Sequence, residues 1–235
     1  MNKYPKNIGI VRATEEHKSN IKSTMKDFYS DEPVFKAQKI DVEKLDKCFY
    51  EPKEGDFTLV AIDKNNKDVA SLAMNSIIKP DNALKQRTHA DLYNKTNIEL
   101  YRALRLWSSI QTDPCPFKML NVDKMWEITI LATAKQYRGL GLSAAVAKQS
   151  FEAALLNDDV SVICMICTNY LSAKIAQNLG MECMVKKHFG EYKDDNGQPW
   201  LKSVPEPPND AARVFIFKKK NYIKNVVTNN ALIPT

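Results

Sequence analysis

No stretch of the 235 residues approaches 18 consecutive apolar side chains, and residues 1–30 hold no apolar core of the kind that directs export. Membrane spanning and secretion are therefore not expected, and the chain reads as cytosolic. Histidine is scarce: His17, His89 and His188 stand far apart. The five cysteines are an odd number, and four lie in or beside apolar runs, which reads as reduced, buried thiols rather than a disulfide framework. Cys164 and Cys167 have zinc or redox spacing, but they sit inside an apolar run read as a strand. Side chains three apart on a strand face opposite ways, so no metal site is expected. Strong charge is missing too. A net charge of +6 and a pI near 8.9 suit a polyanionic small ligand. The lysines and arginines are scattered among acids, so they make no nucleic-acid footprint. No internal repeat and no exposed apolar stripe appear, which makes a monomer the default.

What is present is enough apolar sequence, 44% of the chain, to bury one substantial core. The pattern predicts a single α/β domain over 1–219, with a mixed central sheet flanked by helices, and a basic, Asn-rich, loosely ordered tail at 220–235. Residues 8–12 alternate like an edge strand. Thr14 is placed to cap a helix reaching Tyr29, with Ile21, Thr24, Met25 and Phe28 along one face. Pro33 disfavours helix at Glu32 and can open a second helix, predicted over 34–49. Residues 57–63 and 68–78 read as a hairpin around Asn65-Asn66. Residues 79–122 read as an irregular helical insertion, stopped at Pro114 and Pro116. Further strands are predicted at 126–132, 160–167, 181–189 and 213–218, and a helix after Asn169 ends at Gly180.

The chain is organised around residues 125–147. An apolar run meets a Gly-containing turn and then an Ala-rich segment, which reads as strand, tight turn and helix. Unpaired amides and the helix dipole make such a turn an anion site. Gly139-x-Gly141 could begin a dinucleotide fingerprint. That motif, however, needs an acidic residue closing the next strand, where this chain has Cys167-Thr168-Asn169. A phosphate-binding P-loop lysine is also absent.

Gln136-Tyr137-Arg138-Gly139-Leu140-Gly141 resembles the Q/R-x-x-G-x-G/A signature of the GCN5-related N-acetyltransferases (GNAT). Asn169, Ser172-Ala173 and Leu179-Gly180-Met181 resemble that family's following motif. Phe28-Tyr29-Ser30-Asp31-Glu32-Pro33-Val34 and the loop at 191–197 are similar to the insect arylalkylamine (dopamine-type) members. The resemblance implies the GNAT fold and acetyl-CoA as co-substrate. It implies contacts from Tyr137, Arg138, Gly139, Leu140, Gly141, Leu142, Ser143 and Asn169, with the pantetheine arm running beside Thr129, Ile130 and Leu131. It implies Glu32 as general base. The tyrosine that protonates the leaving thiolate in many relatives is replaced by Ala176, which points instead to the hydroxyls of Ser172 and Thr168.

The acceptor is expected to be a small-molecule amine, an arylalkylamine of the dopamine, tyramine or serotonin type. Polyamines or agmatine, a protein amine, and a non-catalytic acetyl-CoA-binding module are the alternatives. Asp31 is a candidate attractor for a cationic amine, and Tyr93, Tyr101, Trp107 and Phe117 are candidate walls of its pocket.

Overall fold

The computed structural model describes residues 4–52 and 55–219, so the expected tail lies outside the described residues. The chain runs β1 (Ile8–Arg12), α1 (Lys18–Asp31), α2 (Pro33–Gln38), β2 (Phe57–Asp63) and β3 (Val69–Ile78). The insertion contributes α3 (Asn82–Asp91), α4 (Ile98–Ile110) and α5 (Pro116–Leu120). Then follow β4 (Met125–Thr133), α6 (Leu142–Leu155), β5 (Val162–Cys167), α7 (Tyr170–Asn178), β6 (Glu182–His188) and β7 (Ala211–Lys218). The strands form one sheet in the order β1-β2-β3-β4-β5-β7-β6. Every neighbouring pair is antiparallel except β4 and β5, which are parallel and joined through α6.

Each face of the sheet is covered. One core holds Ile21 and Met25 of α1, Val34 and Phe35 of α2, and Leu100, Ala103 and Leu106 of α4. The other face packs Leu142, Val146, Phe151 and Ala154 of α6, with Ala173 and Ala176 of α7. Asn75, wholly buried in β3, ties the layers together. Its Oδ1 accepts from Trp126 Nε1 at 3.2 Å, and its Nδ2 donates to Ser150 Oγ at 3.0 Å and to the Phe57 carbonyl at 2.7 Å. Among the described residues no helix is long and apolar enough to cross a membrane.

Two features of the sheet shape the site. The register between β3 and β4 slips between Met74 and Asn75, which face Ile130 and Ile128, so Thr129 is an extra residue on β4. This bulge re-aims the strand: Trp126 and Ile128 pack on the α6 side, whereas Ile130 and Ala132 pack on the α1 side. In addition, β4 pairs with β5 only at Trp126 with Ile163 and Glu127 with Cys164. Past Glu127 the two parallel strands separate, leaving that side of β4 without a ladder partner.

Some expectations are corrected. The helix predicted over 34–49 stops at Gln38, because Lys39 takes a left-handed conformation (φ 56). Two short 3-10 turns, Val42–Lys44 and Lys47–Phe49, follow Asp41 and Asp46 and still bury Leu45 and Phe49. The N-terminal helix begins at Lys18, after a 3-10 turn at Glu15–His17. The thiols are not uniformly buried. Cys164 and Cys167 are, on opposite faces of β5, but Cys48 lies exposed in a turn and Cys183 on the outer strand β6. Among the described residues no three His, Cys, Asp or Glu side chains gather as a metal site.

Candidate active site

The glycine turn leaves β4, makes a 3-10 turn at Lys135–Tyr137 and enters α6 through Gly141. Gly139 and Gly141 have φ of 78° and 74°, conformations that side chains disfavour, so glycine is required by the backbone itself. A Cβ at either position would meet nothing within 4 Å, so the space above the turn is open. No side chain caps α6. Its first amides, around Leu142 and Ser143, therefore face that open space, where an anion is favoured by amides and dipole together.

Tyr137 and Arg138 of the turn are tied to other elements. The Tyr137 hydroxyl accepts from Asn66 Nδ2 at 3.0 Å and donates to Asp63 at 3.1 Å, pinning the turn to the β2–β3 hairpin. Arg138 reaches α1, donating to Asp31 Oδ2 at 2.7 Å and to the Asp27 carbonyl at 3.4 Å. The Lys135 amide donates to Asp27 Oδ2 at 2.9 Å. Leu140 is exposed.

These contacts revise the reading of Asp31. Its carboxylate is bound to Arg138 and, at 3.3 Å, to Lys36. Partial burial works against its charge, but the two cations outweigh this and hold the carboxyl below the usual range. Asp31 is therefore not a free acid awaiting an amine. Asp27 went unrecognised in the sequence. Its signal was there: two acids four apart share a helix face and repel unless that face meets cations.

Glu32 stands at the break between α1 and α2. Pro33 forces the break, and the Glu32 carboxyl then caps α2, its Oε2 accepting the Phe35 amide at 2.9 Å. The residue is 2% exposed, and Oε1 has no hydrogen-bond partner. Burial pushes the carboxyl up to about 7, against the Phe35 amide, the Thr168 hydroxyl and the Val34 amide, which favour the charged form. Thr168, 8% exposed, directly follows β5. The α1–α2 junction thus bridges the gap between the parallel strands: Asp31 contacts the turn after β4, and Glu32 lies beside the end of β5.

Thr168 is therefore placed to act on Glu32. Thr168→Val should raise the Glu32 pKa, because it removes a hydroxyl that favours the charged carboxylate. The check is the ascending limb of the pH–rate profile. A fall in turnover with an unmoved limb would return Thr168 to the thiolate-protonating role. Asn169 caps α7, its Oδ1 accepting from the Ser172 amide at 2.8 Å, and the Ser172 hydroxyl donates to the Asn169 carbonyl at 3.0 Å.

The candidate pocket walls divide. Tyr29 stacks near Phe35 (4.9 Å between ring centroids), Phe49 (5.8 Å) and Tyr50 (6.1 Å), and Trp107 meets Phe35 at 5.8 Å. Burial and the Glu32 charge push the Tyr29 hydroxyl well above its ordinary pKa, so it stays neutral. Tyr93 packs on Phe49, whereas Tyr101 pairs with Trp200. Phe117 belongs elsewhere. It lines a cleft of about 800 Å³ with Pro80, Cys115 and Ser161, at the opening ends of β4 and β5, away from Glu32. Ligands of sheets with parallel strands bind beyond the strands' closing ends, where Glu32 and the glycine turn are.

No family profile and no curated protein matches the chain. Solved structures do. Arylalkylamine N-acetyltransferase 2 from Aedes aegypti superposes with a TM-score of 0.71 at 21% identity, over 91% of this chain and 100% of that one. Mosquito arylalkylamine N-acetyltransferase like 5b gives 0.75 at 19% identity, over 90% and 99%. The Drosophila melanogaster polyamine N-acetyltransferase, which catalyses formation of N-acetylagmatine, gives 0.72 at 15%, over 90% and 99%. The single seven-stranded mixed sheet, parted between its two parallel strands and covered by helices on both faces, is the GCN5-related N-acetyltransferase fold over nearly the whole chain.

Proposed function

We propose that the chain transfers the acetyl group of acetyl-CoA to the primary amine of a small arylalkylamine, with Glu32 as general base. One observation carries the reading. A buried carboxyl with an orphaned oxygen is held beside the gap between the parallel strands, with its pKa moved to about 7. Buried acceptors are normally satisfied, and catalytic bases are poised near the working pH.

The coenzyme's pyrophosphate would lie on the amides of residues 138–143, and its pantetheine arm along Thr129, Ile130 and Leu131, where β4 lacks a partner on the β5 side. An alkylammonium titrates near about 10.4, so at neutral pH the acceptor arrives protonated. Glu32 Oε1 takes that proton. The amine nitrogen then bonds to the thioester carbon, and the oxygen becomes an anion that an unpaired amide of β4 can stabilise. Collapse re-forms the carbonyl, breaks the carbon–sulfur bond and releases the thiolate, and the nitrogen loses its second proton as the thiolate gains one, so the products are the amide and free coenzyme A. Of the two hydroxyls considered as the thiolate's proton donor, Ser172 must give up its bond to the Asn169 carbonyl to serve.

Tyr29 and Phe35 adjoin Glu32 and pack against Phe49 and Trp107, and this aromatic cluster favours an aromatic acceptor. Two of the similar solved structures carry arylalkylamine N-acetyltransferase names, which supports the same reading. Agmatine and polyamines bring a second cation, and Asp27 and Asp31 are already paired with Lys135 and Arg138.

Thiol release from acetyl-CoA against dopamine, tyramine, serotonin, agmatine, spermidine and a Lys peptide tests the proposal. Release should be fastest with the aromatic amines. A preference for agmatine or spermidine would reassign the acceptor, and coenzyme binding without release would leave a binding module.

A further inference from the structure

We infer that Arg105, Tyr192 and Trp200 form a subsite that reads the ring hydroxyl of the acceptor. The inference rests on the arylalkylamine reading above and narrows its substrate to a hydroxylated ring. Among the described residues, five buried side-chain polar atoms have no hydrogen-bond partner; one is Glu32 Oε1, and three are Arg105 Nε, Tyr192 Oη and Trp200 Nε1. Such atoms are rare inside proteins, and three of them on adjoining residues point to a ligand. The residues adjoin in two ways. The Trp200 amide donates to the Tyr192 carbonyl at 3.0 Å and Lys193 bridges to Pro199, so Tyr192 and Trp200 stand opposite each other on a short ribbon and project from the same face. Arg105, on α4, holds its guanidinium carbon 4.8 Å from the centre of the Trp200 ring. All three residues are more than nine-tenths buried.

The position suits the far end of an arylethylamine. Trp107 of α4 meets Phe35, close to Glu32, whereas Tyr101, six residues earlier on the same helix, meets Trp200 at 6.1 Å. Six residues of helix rise about 9 Å along the axis. The six residues of α2 give the same measure. Glu32 caps its start, and Gln38 at its end donates to the Ser203 carbonyl at 2.6 Å and accepts the Lys202 amide at 3.3 Å, just past Trp200. An arylethylamine covers roughly 8 Å from its nitrogen to a para oxygen at ordinary bond lengths. The pattern of donors names the group. Arg105 Nε and Trp200 Nε1 only donate, and a tyrosine hydroxyl donates or accepts; a phenolic hydroxyl accepts twice and donates once, which satisfies all three. Burial, with Asp113 and Glu191, pushes the Tyr192 hydroxyl well above its ordinary pKa, so it keeps its proton. The Arg105 charge is held against Asp91 at 3.3 Å and the face of Tyr101 at 5.7 Å. Agmatine or a polyamine would bring a second cation, with donors only, to a site made of donors and a guanidinium.

Tyramine and phenylethylamine differ by that one oxygen, so the ratio of their kcat/KM values reads the subsite. Wild type should favour tyramine about ten- to a hundredfold, because a site built to bond a hydroxyl leaves its own groups unpaired when the hydroxyl is missing. Tyr192→Phe and Trp200→Phe should each lower that ratio about three- to tenfold. A merely structural loss would slow both amines alike and leave the ratio in place. Tyr192→Phe removes one unpaired buried oxygen and keeps the ring, so it should melt no lower than wild type. Equal kcat/KM for the two amines in wild type, or a ratio unmoved in both variants, would overturn the subsite while leaving the acetyl transfer standing. Turnover of neither amine by the wild-type protein would overturn the arylalkylamine reading, and the subsite with it.

Discussion

Glu32→Gln is expected to lower kcat/KM for the amine at pH 8 by about a hundred- to ten-thousandfold, the range of general base catalysis, while acetyl-CoA binding stays near wild type. The substitution isolates proton acceptance. Glutamine has nearly the same shape, and its carbonyl oxygen can keep the cap on the Phe35 amide, so α2 retains its start. Only the basicity is lost. The same residue has an opposite effect on stability. Its pKa is raised by folding, so its contribution is fully present below the unfolded carboxylate range and is lost as pH rises through about 7. At pH 8 a buried carboxylate with an unpartnered oxygen is a cost, and Glu32→Gln should melt at a higher temperature than wild type. An inactive variant that is also more stable separates catalysis from folding. Normal turnover in this variant would remove Glu32 from the mechanism.

The second large effect is expected at the glycine turn. Gly141→Val should weaken coenzyme A binding by about tenfold or more, because a β-branched residue at φ 74° is strained by roughly 1–3 kcal/mol. The loop escapes that strain by re-aiming the amides that open α6. A Cβ here meets nothing within 4 Å, so the loss cannot be assigned to a clash within the protein. Gly180→Val is the matched control. Gly180 has φ 77° just past α7, and its substitution should cost comparable stability without touching the coenzyme. Equal loss of binding in both variants would show general destabilisation and contradict the assignment of the turn.

Much of this was legible because it is local. The change from an apolar run to Gly139-Leu140-Gly141 and then an Ala-rich segment fixes a strand, a turn and a helix within one stretch. Pro33 breaks the helix wherever the rest of the chain lies, which is why Glu32 could be placed at a junction. Other features depend on distant partners. Arg138 and Asp31 are more than a hundred positions apart, so their pairing needs the packing of α1 across β4. Thr168 reads as a helix-capping residue until α1 brings Glu32 beside it. The Thr129 bulge is set by the register with β3, and the left-handed Lys39 is a position that apolar spacing does not reveal. Leu45 and Phe49 are as buried as a helix would have made them, so burial was readable where backbone conformation was not.

The most direct test of a Glu32 base is the pH dependence of kcat/KM for the preferred amine, measured in wild type and Glu32→Gln under the same conditions. The wild-type rate should rise through an apparent pKa near 7, and that limb should vanish from the residual activity of the variant. A limb that persists unchanged in Glu32→Gln, or a rise that only follows ionisation of the free amine near about 10, would contradict the account.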